Sequence, residues 1–334
     1  ANVEGKIDGN NISFIIPDGL ENLTFAPTIV ISDKATITPA SGVEQDFSSP
    51  VIYTVTSEDG IVTTKYTVSV SGQIRDFGFD EWETIKSSTS GSTEQYDVPK
   101  GLYGTSNPGI MTINEMFGSN LPELFSYTVS PVEGQSGKAA KLQTVYTYMF
   151  LNGMDFNALL GGLVPYVTAG SLFTGIFKTD MNNTLNSTKF GVPFVGEPAT
   201  FTGYYKYTPG TTYYNNKNEV VADKTDECSI YAVLYEELLD EENNNIPLNG
   251  DYNDPDLYIG SSKRIVMKAV LEDGTAKSDW TKFSIPFKLL EGKSYDATKK
   301  YYLAIVCSSS AEGDYFMGAP GSTLFIDSFT VTPQ

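Results

Sequence analysis

The chain has 334 residues, 40% of them apolar and 13% aromatic, enough to bury the cores of two or three domains of ordinary size. Its 22 basic side chains are outnumbered by 41 acidic ones, and the formal charge of −19 repels nucleic-acid phosphates and anionic membranes while suiting neutral or cationic ligands. There is no histidine, which excludes Ser-His and Cys-His nucleophiles and imidazole metal sites, and two cysteines, Cys228 and Cys307, are too few for a disulfide framework or a thiolate cluster.

With 21 tyrosines, 19 phenylalanines, 30 glycines and 17 prolines, the composition predicts an all-β protein of short strands joined by turns. No apolar run reaches the roughly 18 residues of a membrane-spanning helix. The opening "ANVEG" lacks methionine, as in a mature chain trimmed of a targeting segment, so export is expected.

In chain order, "ISFIIPDG", "LTFAPTIVIS" and "ATITPASG" read as short strands punctuated by proline and glycine. "VIYTVTSEDGIVTTKYTVSV" then reads as a hairpin: Val51, Tyr53 and Val55 alternate, Asp59-Gly60 turns, and Val62, Tyr66, Val68 and Val70 alternate on the return. Residues 1–72 are therefore predicted to form a small immunoglobulin-like sandwich. The pattern restarts at "FGFDEWE", which places a boundary at residues 71–75 and a second domain at 76–334.

Eight segments of that second domain read as strands: "KAAKLQTVYTYM", "SLFTGIFKT", "ATFTGYYKYTPG", "CSIYAVLYEEL", "RIVMKAVL", "TKFSIPFKLL", "KYYLAIVCSSS" and "STLFIDSFTV". No sustained helix is expected, because "DFNALLGGLVPY" is cut short by Gly161-Gly162 and Pro165. The simplest architecture is a jelly-roll sandwich.

Two stretches carry candidate binding chemistry. In "ATFTGYYKYTPG", Phe201, Gly203, Tyr205 and Tyr207 share one face of the strand, and Thr202, Tyr204 and Lys206 the other. An exposed tyrosine beside a lysine makes a sugar platform, stacking on the apolar face of a pyranose and donating to its hydroxyls; two-sided packing is the competing reading. The loop "DEENNNIPLNGDYNDPD" offers Asp251, Asn253, Asp254 and Asp256 as oxygen ligands but lacks the glycine and terminal glutamate of an EF-hand, and a solvated loop explains it more simply. Hydrolysis of a glycoside would need two carboxylates across a cleft; Glu81 and Glu83 beside Trp82, or Glu236-Glu237, are available, without a pattern that singles them out.

Taken together and in order, "FGFDEWE", "VPKGLYGTSNPG", "GQSGKAAKLQT", "AGSLFTGIF", "FTGYYKYTPG" and "SSSAEGDYFMGAPGSTLFIDSFTV" resemble the putative carbohydrate metabolism domain family over residues 76–334. The resemblance implies an exported or surface lipoprotein of a Gram-negative gut anaerobe, with a jelly-roll domain similar to carbohydrate-binding modules behind a small immunoglobulin-like domain. Leu102 stands where the family often has tryptophan, so no stacking residue carries over there. Jelly-roll carbohydrate-binding modules often pair an early "F-[DE]-x-W"-like strand with a final "I-D" strand around a structural calcium. Asp80 and Asp327 match those positions, while direct backbone N–H bonds from "GAPGS" are the other way to satisfy Asp327.

The resulting expectation is a surface or periplasmic protein that binds oligo- or polysaccharide through Trp82, Tyr204 and Lys206, with a calcium at Asp80 and Asp327 and a lipid anchor in the full-length protein. A glycoside hydrolase using a carboxylate pair and a protein-binding adhesion or assembly subunit are the alternatives.

Overall fold

The computed structural model describes residues 3–18, 23–47 and 49–334. Gly19, which closes one predicted strand, lies outside them. The chain divides into two compact units: Ala1–Asp76 with Val195–Ala199 and Val331–Gln334, and Phe77–Phe194 with Thr200–Thr330.

The smaller unit is a sandwich. Its main sheet runs Lys6–Asp8, Asn11–Ile16, Thr63–Gln73, Val51–Thr56, Thr36–Thr38, and a two-stranded sheet pairs Thr24–Phe25 with Gln45–Asp46. The predicted hairpin forms with Tyr53 opposite Tyr66, and Ser57 and Val62 close its turn through a 2.9 Å backbone bond. Phe47, Tyr53 and Val68 make the buried centre, with Phe14 edge-on to both Phe25 and Phe47. Val62 departs from the predicted alternation: it is 61% exposed, because the returning strand begins only at Thr63. Asn11–Ile16 pairs parallel to Thr63–Gln73.

The larger unit is built on two large antiparallel sheets. The eight-stranded sheet follows the path Tyr103–Thr105, Ser171–Phe177, Tyr301–Ser308, Ser229–Glu236, Ile265–Val270, Lys288–Leu289, with Thr188–Phe190 and Val192–Phe194 paired beside it. The six-stranded sheet includes the path Val129–Glu133, Lys138–Gln143, Thr323–Pro333, Pro198–Thr208, Lys277–Pro286. All eight predicted segments contribute strands. Phe201, Phe283 and Phe329 meet edge to face at 5.0, 5.1 and 5.5 Å between ring centroids, geometry that favours aromatic packing. Glycine is required at 203, since a side chain there would run into Phe329 and Phe283.

Along Ser229–Glu236 both faces are buried: Ile230, Ala232 and Leu234 on one, Val233 and Tyr235 on the other. The second of these faces packs on Phe173, Phe190, Leu248, Ile259 and Val306, so loops cover what an open jelly-roll sheet would leave to solvent. Cys228 and Cys307 are both free thiols, and burial pushes Cys228 up to about 12.

One expectation fails. A regular helix of 11 residues, Asn107–Phe117, stands where no sustained helix was predicted. Its start is set by Pro108, which needs no N–H partner there, and by Asn107, whose amide donates to Val129 O at 2.8 Å and whose carbonyl accepts from Val129 N at 2.9 Å. Ile110, Ile113 and Phe117 then fall on one face and pack on Met149 and Val164. The second short helix, Phe156–Leu159, is capped by Asp155 accepting from Ala158 N at 3.0 Å and ends at Gly161-Gly162, as expected.

Candidate functional site

The loop-covered face of the eight-stranded sheet encloses a cavity of about 260 Å3. Ser171, Phe173, Ser229, Tyr231, Val306 and Ser308 form its floor. Thr112, Ile113, Met116 and Phe117 wall it from the helix, and residues within 163–169, 177–190, 250–259 and 310–316 complete it. Met116 and Met181 are exposed at its edge, at 49% and 43%. The wall is apolar apart from hydroxyls and, among the described residues, a single charged group, Asp314.

Asp314 belongs to a tyrosine rim. Tyr315, 39% exposed, stacks on Tyr252, 37% exposed, with centroids 5.2 Å apart and planes 29° from parallel. Tyr252 meets Tyr258 edge-on at 6.5 Å. The Tyr258 hydroxyl donates to Asp314 Oδ2 and lies 3.4 Å from the Tyr315 hydroxyl. Asp314 is exposed by surface area, yet the protein packed around its carboxylate raises its pKa, with Tyr258's hydrogen bond pulling the other way. Tyr258 is raised by burial and by the neighbouring Asp314, so it stays a hydroxyl donor at neutral pH.

Tyr252 and Tyr258 come from the loop between Ser229–Glu236 and Ile265–Val270, and Asp314 and Tyr315 from the loop between Tyr301–Ser308 and Thr323–Pro333, which a buried carboxylate fixes. Asp226 Oδ2 accepts from Ser310 Oγ at 2.6 Å, Ser322 Oγ at 2.7 Å and Ala319 N at 2.8 Å. Burial raises the Asp226 pKa, and these donors oppose the rise.

Residues 78–332 match the family described as "Putative carbohydrate metabolism domain". The chain belongs to this family. Residues 1–70 match the N-terminal domain of the surface glycan-binding proteins, described as "SGBP, N-terminal". A crystal structure from Bacteroides thetaiotaomicron VPI-5482, described as a putative glycoside hydrolase, is 32% identical over 99% of this chain and 92% of its own, with a TM-score of 0.61. A second of the same description, from Bacteroides vulgatus ATCC 8482, is 26% identical over 76% of this chain and 96% of its own, with a TM-score of 0.55. No curated protein matches the chain.

The residues expected to carry binding in this carbohydrate-domain family member lie apart from the cavity. Trp82 is half-buried on a separate two-stranded ribbon, Trp82–Lys86 with Gln95–Pro99, and its indole donates to Phe79 O at 2.6 Å. Tyr204 and Lys206 do share the half-buried face of Pro198–Thr208, with Tyr204 opposite Lys282. The Lys206 ammonium, however, sits 4.8 Å from the centroids of both Trp280 and Phe325, held between two rings of its own sheet. Two of the four carboxylates considered for hydrolysis are in ion pairs: Glu81 with Lys100 at 3.1 Å and Glu236 with Lys299 at 2.7 Å.

Asp80 and Asp327 do come together, on the turn 134–137. Asp327 Oδ2 accepts from Gln135 N at 2.7 Å and Ser136 N at 3.1 Å, its Oδ1 from Ser328 Oγ at 3.0 Å, and Asp80 Oδ1 from Lys138 N at 2.9 Å. Asp327 is thus satisfied by this turn and not by "GAPGS", which serves Asp226 instead. The turn approaches so closely that a side chain at Gly137 would collide with Asp80. Calcium takes six to eight oxygen ligands; here the chain's own N–H and O–H donors meet Asp80 Oδ1 and both oxygens of Asp327. No group of three or more metal-ligating side chains occurs among the described residues. In the acidic loop, Asp251 is likewise turned inward, to Asn183 Nδ2 at 2.7 Å and Asn253 N at 3.0 Å.

The sequence reading did not single out Tyr252, Tyr258, Asp314 and Tyr315. The available signal was tyrosine set inside polar loops, "DYNDPDLY" and "EGDYF", where a ring has no strand face to pack into.

Proposed function

We propose that the chain is a glycan-binding protein of the cell surface or periplasm that holds a neutral saccharide on the Tyr252–Tyr258–Tyr315 rim, and that a lipid anchor belongs to the full-length protein. The family memberships support the ligand class. The observation that carries the site is the rim itself: two exposed stacked rings beside a Tyr258–Asp314 pair, apolar faces next to a hydroxyl and a carboxylate. Pyranose recognition uses that combination, CH faces on rings and hydroxyls on fixed polar groups.

Hydrolysis is the second reading, favoured by similarity to the two proteins described as putative glycoside hydrolases. Against it, the cavity wall offers Asp314 and no second carboxylate among the described residues, where an acid–base or acid–nucleophile pair is needed.

Affinity electrophoresis through gels containing neutral polysaccharides, with chromatography of the polymer afterwards, tests both. Retention of wild type, reduced in Tyr315→Ala, with no shortening of the polymer is expected. Shortened products would overturn binding without hydrolysis, and equal retention of Tyr315→Ala would move the site off the rim.

A further inference from the structure

The segment "VYTYMF", residues 145–150, continues the period-two alternation past the end of the strand Lys138–Gln143. Thr147 and Met149 turn inward, which leaves Tyr146 and Tyr148 half-buried and Phe150 61% exposed. The buried Asn157 fixes this backbone: its carbonyl accepts from Met149 N at 2.6 Å, and its amide donates to Thr147 O at 2.9 Å and Pro165 O at 3.1 Å. On the outer side the rings join two more from other loops. Tyr146 stacks on Tyr214 at 5.0 Å between centroids and meets Tyr148 at 5.6 Å, and Tyr148 reaches Phe150 at 6.2 Å and Tyr166 at 5.8 Å. Their planes differ by only 27° to 44°, an offset arrangement, and every ring of the row belongs to a residue that keeps surface open to solvent. None belongs to the cavity wall.

Polar groups are interleaved with these rings. The Tyr146 hydroxyl donates to Asn218 Oδ1 at 2.5 Å and the Tyr166 hydroxyl to Asp155 Oδ2 at 2.9 Å. The Asn218 side-chain N–H groups and the Tyr148 and Tyr214 hydroxyls have no hydrogen-bond partner among the described residues. A lipid or an apolar helix laid on the row would strand those groups, whereas pyranose hydroxyls pair with them while their CH faces rest on the rings. The row is also tied to the rim. Tyr214 N donates to Gly318 O at 2.9 Å and Gly318 N to Tyr214 O at 3.1 Å, three residues beyond Tyr315 on the same loop.

We propose that the row of Tyr214, Tyr146 and Tyr148 is a second saccharide-binding surface, and that the protein takes a polymeric glycan at both row and rim. The proposal rests on the saccharide reading above and adds the chain length selected: two modest sites on one domain hold a polymer by avidity, a gain that a short oligosaccharide does not receive.

The full chain is run through gels of arabinan, galactan, xylan, mannan and mixed-linkage β-glucan, and the variants on whichever polymer retains wild type. Tyr148→Ala is expected to weaken retention about threefold to tenfold, the worth of one ring contact, and Tyr148→Ala combined with Tyr315→Ala to weaken it further than either alone. Tyr148→Phe keeps the ring, removes the unpaired hydroxyl and should fall between. Phe150→Ala removes an exposed ring, so it tests the row even if loss of the Tyr148 ring unfolds the segment, and it too should weaken retention. By titration, wild type should bind the polymer at least about tenfold more tightly than its short oligosaccharides, an advantage that Tyr148→Ala reduces. Unchanged retention in Tyr148→Ala and Phe150→Ala, with retention reduced in Tyr315→Ala, overturns the row and leaves the rim intact. Retention reduced in the row variants but not in Tyr315→Ala keeps the row and overturns the rim. Equal affinity for polymer and oligosaccharide overturns the joint use of the two surfaces, and a wild type retained by no polymer overturns both. Sedimentation of wild type as a dimer that Phe150→Ala dissociates, with polymer retention unchanged, assigns the row to a second copy of the chain and overturns the proposal.

Discussion

The outer faces of the two sheets in the larger unit use their aromatic side chains in opposite ways. On the six-stranded sheet, Trp280 and Phe325 close on Lys206, so cation and rings satisfy each other. On the eight-stranded sheet, Tyr252 and Tyr315 stack at the edge of a cavity and remain more than a third exposed, with Asp314 beside them. Composition alone does not separate the two, since both combine tyrosine or tryptophan with a charge. A ring is available to a ligand where no other part of the chain already covers it.

The largest effect that would sharpen this comparison is at the anchor of the rim. Asp226→Ala leaves Ser310, Ser322 and Ala319 N without their shared acceptor, an expected loss of about 3 kcal/mol or more in urea denaturation. Saccharide retention should fall as well, although Asp226 lies outside the cavity wall. Asp327→Ala, beneath the six-stranded side, should cost about 1–3 kcal/mol by stranding the Gln135 and Ser136 amides. EDTA should leave the wild-type Tm unchanged, and a fall in EDTA would put a cation on Asp80 and Asp327 after all.

Tyr315→Ala is expected to weaken retention by about threefold to tenfold with little change in Tm, the worth of one ring contact. Lys206→Met should do the reverse, costing under about 1 kcal/mol of stability and leaving retention unchanged. Lost retention in Lys206→Met would break the comparison by showing that the six-stranded face also binds.

The smallest expected effect is electrostatic. Folding raises the Asp314 pKa, so the ionised carboxylate opposes folding above that folded-state pKa, and the opposition disappears as pH falls below the unfolded value of about 3.9. Asp314→Asn should therefore gain slightly in Tm at neutral pH, gain nothing at about pH 3, and lose saccharide retention at both.

Much of the fold was legible because alternation is a backbone property. The period-two runs from "KAAKLQ" to "STLFIDSF" became strands, and the split of Phe201, Tyr205 and Tyr207 from Tyr204 and Lys206 reappears as buried and half-buried faces. The helix Asn107–Phe117 was hidden because "GTSNPGIMT" begins with turn-forming residues, and its packing partners, Met149 and Val164, lie some forty residues away. The site was less legible for a related reason. Tyr252 and Tyr315 are separated by 63 positions of sequence and meet only through loop closure. Nor could local pattern show that Lys206 would be enclosed by rings from two other strands. Asp327 was read correctly as an acid needing partners, but the partners came from a turn nearly two hundred residues earlier.

The Asp226 anchor divides the labour within one loop. Ser310, Ala319 and Ser322 hold its ends, while residues 312–317 between them carry Asp314 and Tyr315 outward. The tip is in that sense an exchangeable cassette: relatives that keep the three contacts to the buried carboxylate can rewrite the residues between them, and so change which ligand is recognised, without reopening the sandwich beneath.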